Sequence, residues 1–123
     1  MNLLAGRLEA PTRGSLGDGL LLTVAPSDVP AGSPVLCLVR PEAIHLAAPA
    51  AANRLGATLT SAVYLGGRWD CELALAGGVA LRAEMSAGGG TAVPQPGEAT
   101  VVAIHPEDII VLPGVPEASA EPR

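Results

Sequence analysis

Apolar residues in this chain come in short runs of four to seven, broken by Gly and Pro at nearly every turn, so the pattern is that of many short strands and almost no helix. Residues 3–9 and 20–24 read as a hairpin around the Gly-rich stretch 14–19. Residues 26–34 read as a turn-rich link. VLCLV (35–39) is continuously apolar and predicts a strand buried on both faces. Residues 47–53 form an Ala-rich connector. Residues 55–65 alternate in part, predicting a long strand with one face inward. Residues 72–75 and 79–85 flank Ala76-Gly77-Gly78, a hairpin signal. Residues 86–96 predict a flexible loop, 101–104 and 109–112 the closing strands, and 114–123 a disordered tail.

Two segments repeat each other. PVLCLVRPEAIHL (34–46) and ATVVAIHPEDIIV (99–111) align at one offset of 65 residues, which carries Gly32 to Gly97, Pro41 to Pro106, Glu42 to Glu107 and Ile44 to Ile109. A weaker echo links NLLAGRL (2–8) with NRLGATL (53–59). Repetition of a strand-turn-strand unit predicts an all-β domain, residues 1–113, made of two pseudo-repeats at about 2–48 and 53–112. Sheets this fragmented must close on themselves or leave edges open, so the expected architecture is a small OB-like barrel, or two sharing strands.

Composition narrows the function. The 123 residues hold only two aromatic side chains, Tyr64 and Trp69, so the core must come from Leu, Val and Ile. Seven Arg stand against twelve acidic residues, the net charge is −5, and there is no Lys. Nucleic-acid binding needs clustered cations and stacking aromatics, and neither is present. A phosphate-binding P-loop needs a Gly-Lys step, which a chain without Lys cannot supply. No stretch reaches the roughly 20 apolar residues of a membrane span, and the N-terminus lacks the basic start of a signal peptide.

Candidate chemistry is sparse. Cys37 and Cys71 lie within apolar strand runs and read as buried, reduced thiols; a disulfide between them is the alternative. His45 and His105 stand apart from other metal ligands, so no metal site is expected. In each Pro-Glu pair, Pro suits the first position of a helical turn, and a carboxylate there faces unpaired N–H groups. Glu42 and Glu107 thus read as turn residues between strands, with a ligand role for Glu42 and Arg40 as the other reading. Gly66-Gly67 permits a tight turn between Tyr64 and Trp69, read either as a hairpin whose aromatics cover a thin core or as a contact loop. Arg68 and Asp70 read as a solvated pair. No nucleophile with a base is evident, and no enzyme activity is expected of this chain.

At VRPEAIHL (39–46), YLGGRW (64–69) and GEATVVAIHPEDIIVL (97–112) the chain resembles the TOBE, or transport-associated OB, domains at the C-termini of ATP-binding subunits of bacterial ABC importers. The polyamine, iron and phosphonate importers look nearest, and Asn2-Leu3-Leu4-Ala5-Gly6 fits the start of such domains. The resemblance implies a regulatory and dimerisation role. It implies a homodimer through the equivalent domain, with an ATPase domain and membrane permease subunits as partners. It also implies a cytoplasmic position at the inner membrane, with ATP and Mg bound by the parent protein and no cofactor in this chain. A sensor of a small anion or solute is the competing expectation. Arg40, Glu42, Tyr64, Gly66, Gly67 and Arg68 are the candidate ligand- or partner-contact residues. His105 stands where the first copy has Arg40, so any role of that Arg is not duplicated.

Overall fold

The computed structural model describes residues 1–17, 19–46, 53–86 and 94–114. Ten strands make up almost all of it: β1 (Asn2–Ala10), β2 (Arg13–Gly17), β3 (Leu20–Thr23), β4 (Pro34–Val39), β5 (His45–Leu46), β6 (Asn53–Tyr64), β7 (Arg68–Ala74), β8 (Ala80–Ser86), β9 (Ala99–Ile104) and β10 (Ile109–Pro113). Three short 3₁₀ turns, Pro41–Ala43, Ala76–Gly78 and Pro106–Asp108, are the helical content of the described residues. The strands form two antiparallel five-stranded sheets. Sheet A runs β10-β4-β1-β2-β3 and sheet B runs β5-β9-β6-β7-β8. Their inner faces share one core built from Leu, Val and Ile, with Leu8, Leu22, Val39, Leu59, Leu73, Val102 and Ile104 almost wholly buried.

The repeat extends to the register. β1 pairs with β4 from Asn2 opposite Val39 to Arg7 opposite Pro34, and β6 pairs with β9 from Asn53 opposite Ile104 to Thr58 opposite Ala99. The register slip between Leu8 and Ala10 recurs between Leu59 and Ser61. Gly32 and Gly97, at φ +90° and +91°, make the same turn into β4 and β9, a left-handed conformation that a side chain disfavours. Each donates its N–H back to the equivalent leucine carbonyl, of Leu8 and Leu59 respectively.

The halves exchange their last strands. β5, from the first half, pairs with β9; β10, from the second, pairs with β4. The two pairings are the same pairing: His45 opposite Ala103 corresponds to Ile110 opposite Leu38, and Leu46 opposite Val102 to Val111 opposite Cys37. Two asparagines bridge the sheets. Asn2 Nδ2 donates to the carbonyls of Val39 (3.2 Å) and Arg82 (2.9 Å), while its Oδ1 accepts from the Arg82 N–H (2.8 Å). Asn53 Nδ2 donates to the carbonyls of Ile104 (3.2 Å) and Thr23 (2.8 Å), and its Oδ1 accepts from the Thr23 N–H (2.7 Å). Each carboxamide thus copies a strand backbone and ties one sheet to the edge of the other.

Two expectations need correction. Residues 14–19 are not one turn: most of them form β2, which lies between β1 and β3, so residues 3–9 and 20–24 do not pair with each other. Gly17 and Gly19 take the left-handed φ (+89° and +80°) where β2 gives way to β3, while the close approach falls on Gly6 of β1, where a Cβ would strike the Ser15 carbonyl of β2. Nor is VLCLV buried on both faces. Val35, Cys37 and Val39 point into the core, whereas Leu36 and Leu38 are half-buried on the outside of sheet A. Of the expected connector, loop and tail, residues 47–52, 87–93 and 115–123 lie outside the described residues; Gly114 donates its N–H to the Pro34 carbonyl at 2.9 Å.

Candidate functional site

Arg40 ends β4 in extended geometry (φ −71°, ψ 143°), the conformation forced on a residue before Pro, and its carbonyl accepts from the Ala43 N–H at 2.9 Å. The Pro41–Ala43 turn closes with the Ile44 N–H donating to the Pro41 carbonyl, burying Pro41 and leaving Glu42 exposed. The second copy repeats this around Pro106, with the Asp108 N–H on the His105 carbonyl at 2.9 Å. Both Pro-Glu pairs therefore serve turns between strands. Glu42 also edges a shallow cleft of about 250 Å³ shared with Ile44, His45, Glu84, Met85 and Ser86.

The other candidate residues sit on a projection that only the second half has. Residues 62–71 stand where the first half has just Pro11 and Thr12, and they lengthen β6 and β7 into a tongue flanked by β8. The tip turns tightly at Gly66 (φ +85°) and Gly67, closed by the Leu65 N–H on the Arg68 carbonyl at 2.8 Å. Tyr64 and Trp69 face each other at the base of the tip, ring centroids 5.2 Å apart. Trp69 packs against the core, while Val63, Tyr64 and Leu65 are about half-exposed at 51%, 55% and 49%.

Along the tongue, charges alternate, but not in the expected pairing. Asp70 accepts two hydrogen bonds, from Arg82 Nε (2.9 Å) and Nη2 (3.0 Å), so its partner is Arg82 on the neighbouring strand and not Arg68. Side chains alternate across a strand, but Arg68 and Asp70 share a face too widely spaced to compete with a bidentate neighbour. Arg68 instead approaches Glu84 at 4.0 Å. The bonds from Arg82 hold the Asp70 carboxyl below the usual aspartate range, and the same pair raises Arg82.

The six candidate residues thus form two groups, Arg40 with Glu42 on one turn and Tyr64 with Gly66, Gly67 and Arg68 on the tip. β8 links them: Ser86 is the register neighbour of Arg68 and also lines the cleft beside Glu42. Among the described residues no hydrogen bond or ion pair joins the groups directly. Cys37 and Cys71 are free and buried; burial pushes both thiols up, with the charge of Asp70 adding at Cys71. The two histidines, isolated in sequence, meet edge to face at 5.8 Å, yet among the described residues no group of three metal-ligating side chains gathers. No helix of the described residues is long and apolar enough to cross a membrane.

Two features escaped the sequence reading. The asparagine clamps were visible only as a repeated letter, because nothing local shows where a carboxamide will reach. An apolar outer face on sheet A, formed by Leu3, Ala5, Leu36, Leu38, Ile110 and Leu112, was hidden by reading VLCLV as core on both sides. The signal was there in apolar residues at both parities of β4, Val35, Cys37 and Val39 on one and Leu36 and Leu38 on the other.

The TOBE domain family model matches residues 37–112. Among solved structures, the fold matches a crystal form of the cytoplasmic molybdate-binding protein ModG with molybdate bound, at a TM-score of 0.79 and 21% identity, over 94% of this chain and 96% of that one. At that identity the likeness carries the fold, an OB-like all-β arrangement. A sequence search among curated proteins found no match.

Proposed function

The chain belongs to the TOBE domain family, and from that premise we propose that it is a non-catalytic regulatory and dimerisation domain of the ATP-binding subunit of an ABC-type solute importer of the polyamine, iron or phosphonate class. The observation that carries this reading is the family match itself, which spans the strand-exchanged part of both halves. In such an assembly the domain sits at the cytoplasmic face of the inner membrane, beside its twin, the ATPase domains and the permease. ATP and Mg are handled by the ATPase domain and not by these residues. An antibody against the chain should recover it from native membranes in one complex with an ATP-binding domain and permease subunits, and the purified chain should hydrolyse no ATP. Recovery free of both partners, or turnover that survives repurification, overturns the proposal.

A second reading, binding of a small anion or solute, draws on the likeness to a protein solved with molybdate bound. The exposed cations among the candidate contacts are Arg40 and Arg68. Calorimetric titration with molybdate, sulfate and phosphate tests it. Saturable heat at a fixed ratio supports anion sensing; its absence for all three ions removes that reading.

A further inference from the structure

On the outside of sheet A, two rows of side chains cross three strands. One row is Ile110 on β10, Leu38 on β4 and Leu3 on β1; the next is Leu112, Leu36 and Ala5. Leu3 is 61% exposed, Ile110 45% and Leu112 41%, and Leu36 and Leu38 between them are half-buried and stand apart from the core cluster. The fold does not demand leucine here. At the equivalent positions of sheet B, on the same backbone and in the same register, the first row reads His45, Ala103 and Arg54, and Val101 and Gly56 stand for Leu36 and Ala5. One half carries His45 and Arg54 at these positions; the other is apolar throughout.

We propose that this face of sheet A is where two copies of the chain pack against each other, sheet to sheet, about a twofold axis. The inference rests on the regulatory reading for its place in the cell and assigns the surface that reading leaves open. Three observations select a second copy as the occupant. Both rows are uncharged, so two identical faces meet without placing like charge on like charge, whereas a chain of net charge −5 repels its copy over much of the remaining surface. A sheet face is self-complementary in shape, because two twisted sheets pack face to face about 10 Å apart, and a twofold contact requires that self-complementarity. Finally, the area fits. These side chains expose on the order of 400 Å² of apolar surface, the size at which a patch marks an interaction site. That is roughly half of the 800 Å² per partner in a standard interface, so the contact is weak alone and becomes strong when the two copies are also held together elsewhere. Arg7 and Glu9, exposed further along β1, end the face with charges of both signs.

The second half supplies the test. Leu3→Arg with Ile110→His installs on sheet A the residues that sheet B already carries at Arg54 and His45, a pair this backbone accommodates. Sedimentation velocity from about 10 μM to 1 mM should show the parent chain passing from monomer to dimer, and the exchange should weaken that dimer at least tenfold with the melting temperature kept. A second variant, Leu3→Ser with Leu112→Ser, carries the same test should the exchange fail to fold. A parent chain that stays monomeric throughout, association that survives both variants, or association beyond a dimer overturns the assignment. Failure of the regulatory reading looks different: a dimer abolished by the exchange, but no ATP-binding or permease subunit in the native complex, leaves the surface standing and removes the transporter.

Discussion

In sheet A the strand row β10, β4, β1 carries Ile110, Leu38 and Leu3 on its outer side; in sheet B the equivalent row β5, β9, β6 carries exposed His45 and Arg54 on either side of a buried Ala103. One position inward the difference vanishes: Val39, Cys37 and Leu4 correspond to Ile104, Val102 and Leu55, all buried and all apolar. The same contrast holds at the hairpins, where Pro11-Thr12 in one half faces the long tongue of the other. The fold constrains inward side chains, turn glycines and the two asparagines, and leaves outward positions and hairpin lengths free. Features found in one half only are therefore where function is to be sought, and features found in both are where stability resides.

The largest expected effect tests that equivalence in the core. Leu8 and Leu59 occupy matching sites before the duplicated register slip, at 1% and 0% exposure. Leu8→Ala and Leu59→Ala should each cost about 2–5 kcal/mol in chemical denaturation, the range for truncating a buried leucine, and the two should agree within about 1 kcal/mol. A full-sized loss at one site with almost none at the other would break the picture of one core built twice.

The asparagine clamps sharpen it by differing in burial. Asn2 is 7% exposed, while Asn53 is half-buried with two of its bonds open to solvent. Removing Asn2 leaves the Arg82 N–H without its partner in a partly buried setting and the Val39 carbonyl short of a donor in a buried one, so Asn2→Ala should cost about 1–3 kcal/mol. Water can replace Asn53 in part, and Asn53→Ala should cost about 0.5–1.5 kcal/mol. Equal costs would mean that water reaches both clamps alike.

Much of this frame was legible from residues alone, for physical reasons. The offset carrying Gly32 to Gly97 and Pro41 to Pro106 marks turns, and turn chemistry is local, so the repeat and its all-β character could be read directly. Pairing is not local. That β5 and β10 change sheets depends on which edge each strand meets, and no residue in His45–Leu46 or Ile109–Pro113 encodes it by itself. Glycine misled at residues 14–19 because Gly17 and Gly19 do take left-handed φ, but only where β2 gives way to β3, and the residues before them are strand. Tyr64, Gly66, Gly67 and Arg68 stood out as odd letters and do lie together on the tip. Leu3 and Ile110 looked ordinary; only their neighbours across strands show that they form a face.

The smallest effect concerns acid. The tongue carries a charge ladder that the short hairpin lacks, with Asp70 held by two bonds from Arg82. Because those bonds favour the carboxylate, the Asp70 pKa in the folded chain lies below its unfolded value of about 3.9. A carboxylate depressed in this way adds stability that is fully present above about pH 4 and is lost as the pH falls through the folded value. Amide exchange in β7 and β8 should then hold steady from neutral pH to about pH 5 and speed up below about pH 4, relative to β2 and β3 and after correction for intrinsic rates. Asp70→Asn should remove the extra acid response and leave the remainder, which comes from other carboxylates. The pair is exposed, so about 0.5 M salt should shrink the difference by screening. Equal acid responses in the two hairpins, or an unchanged response in Asp70→Asn, would mean that the ladder decorates the tongue without holding it.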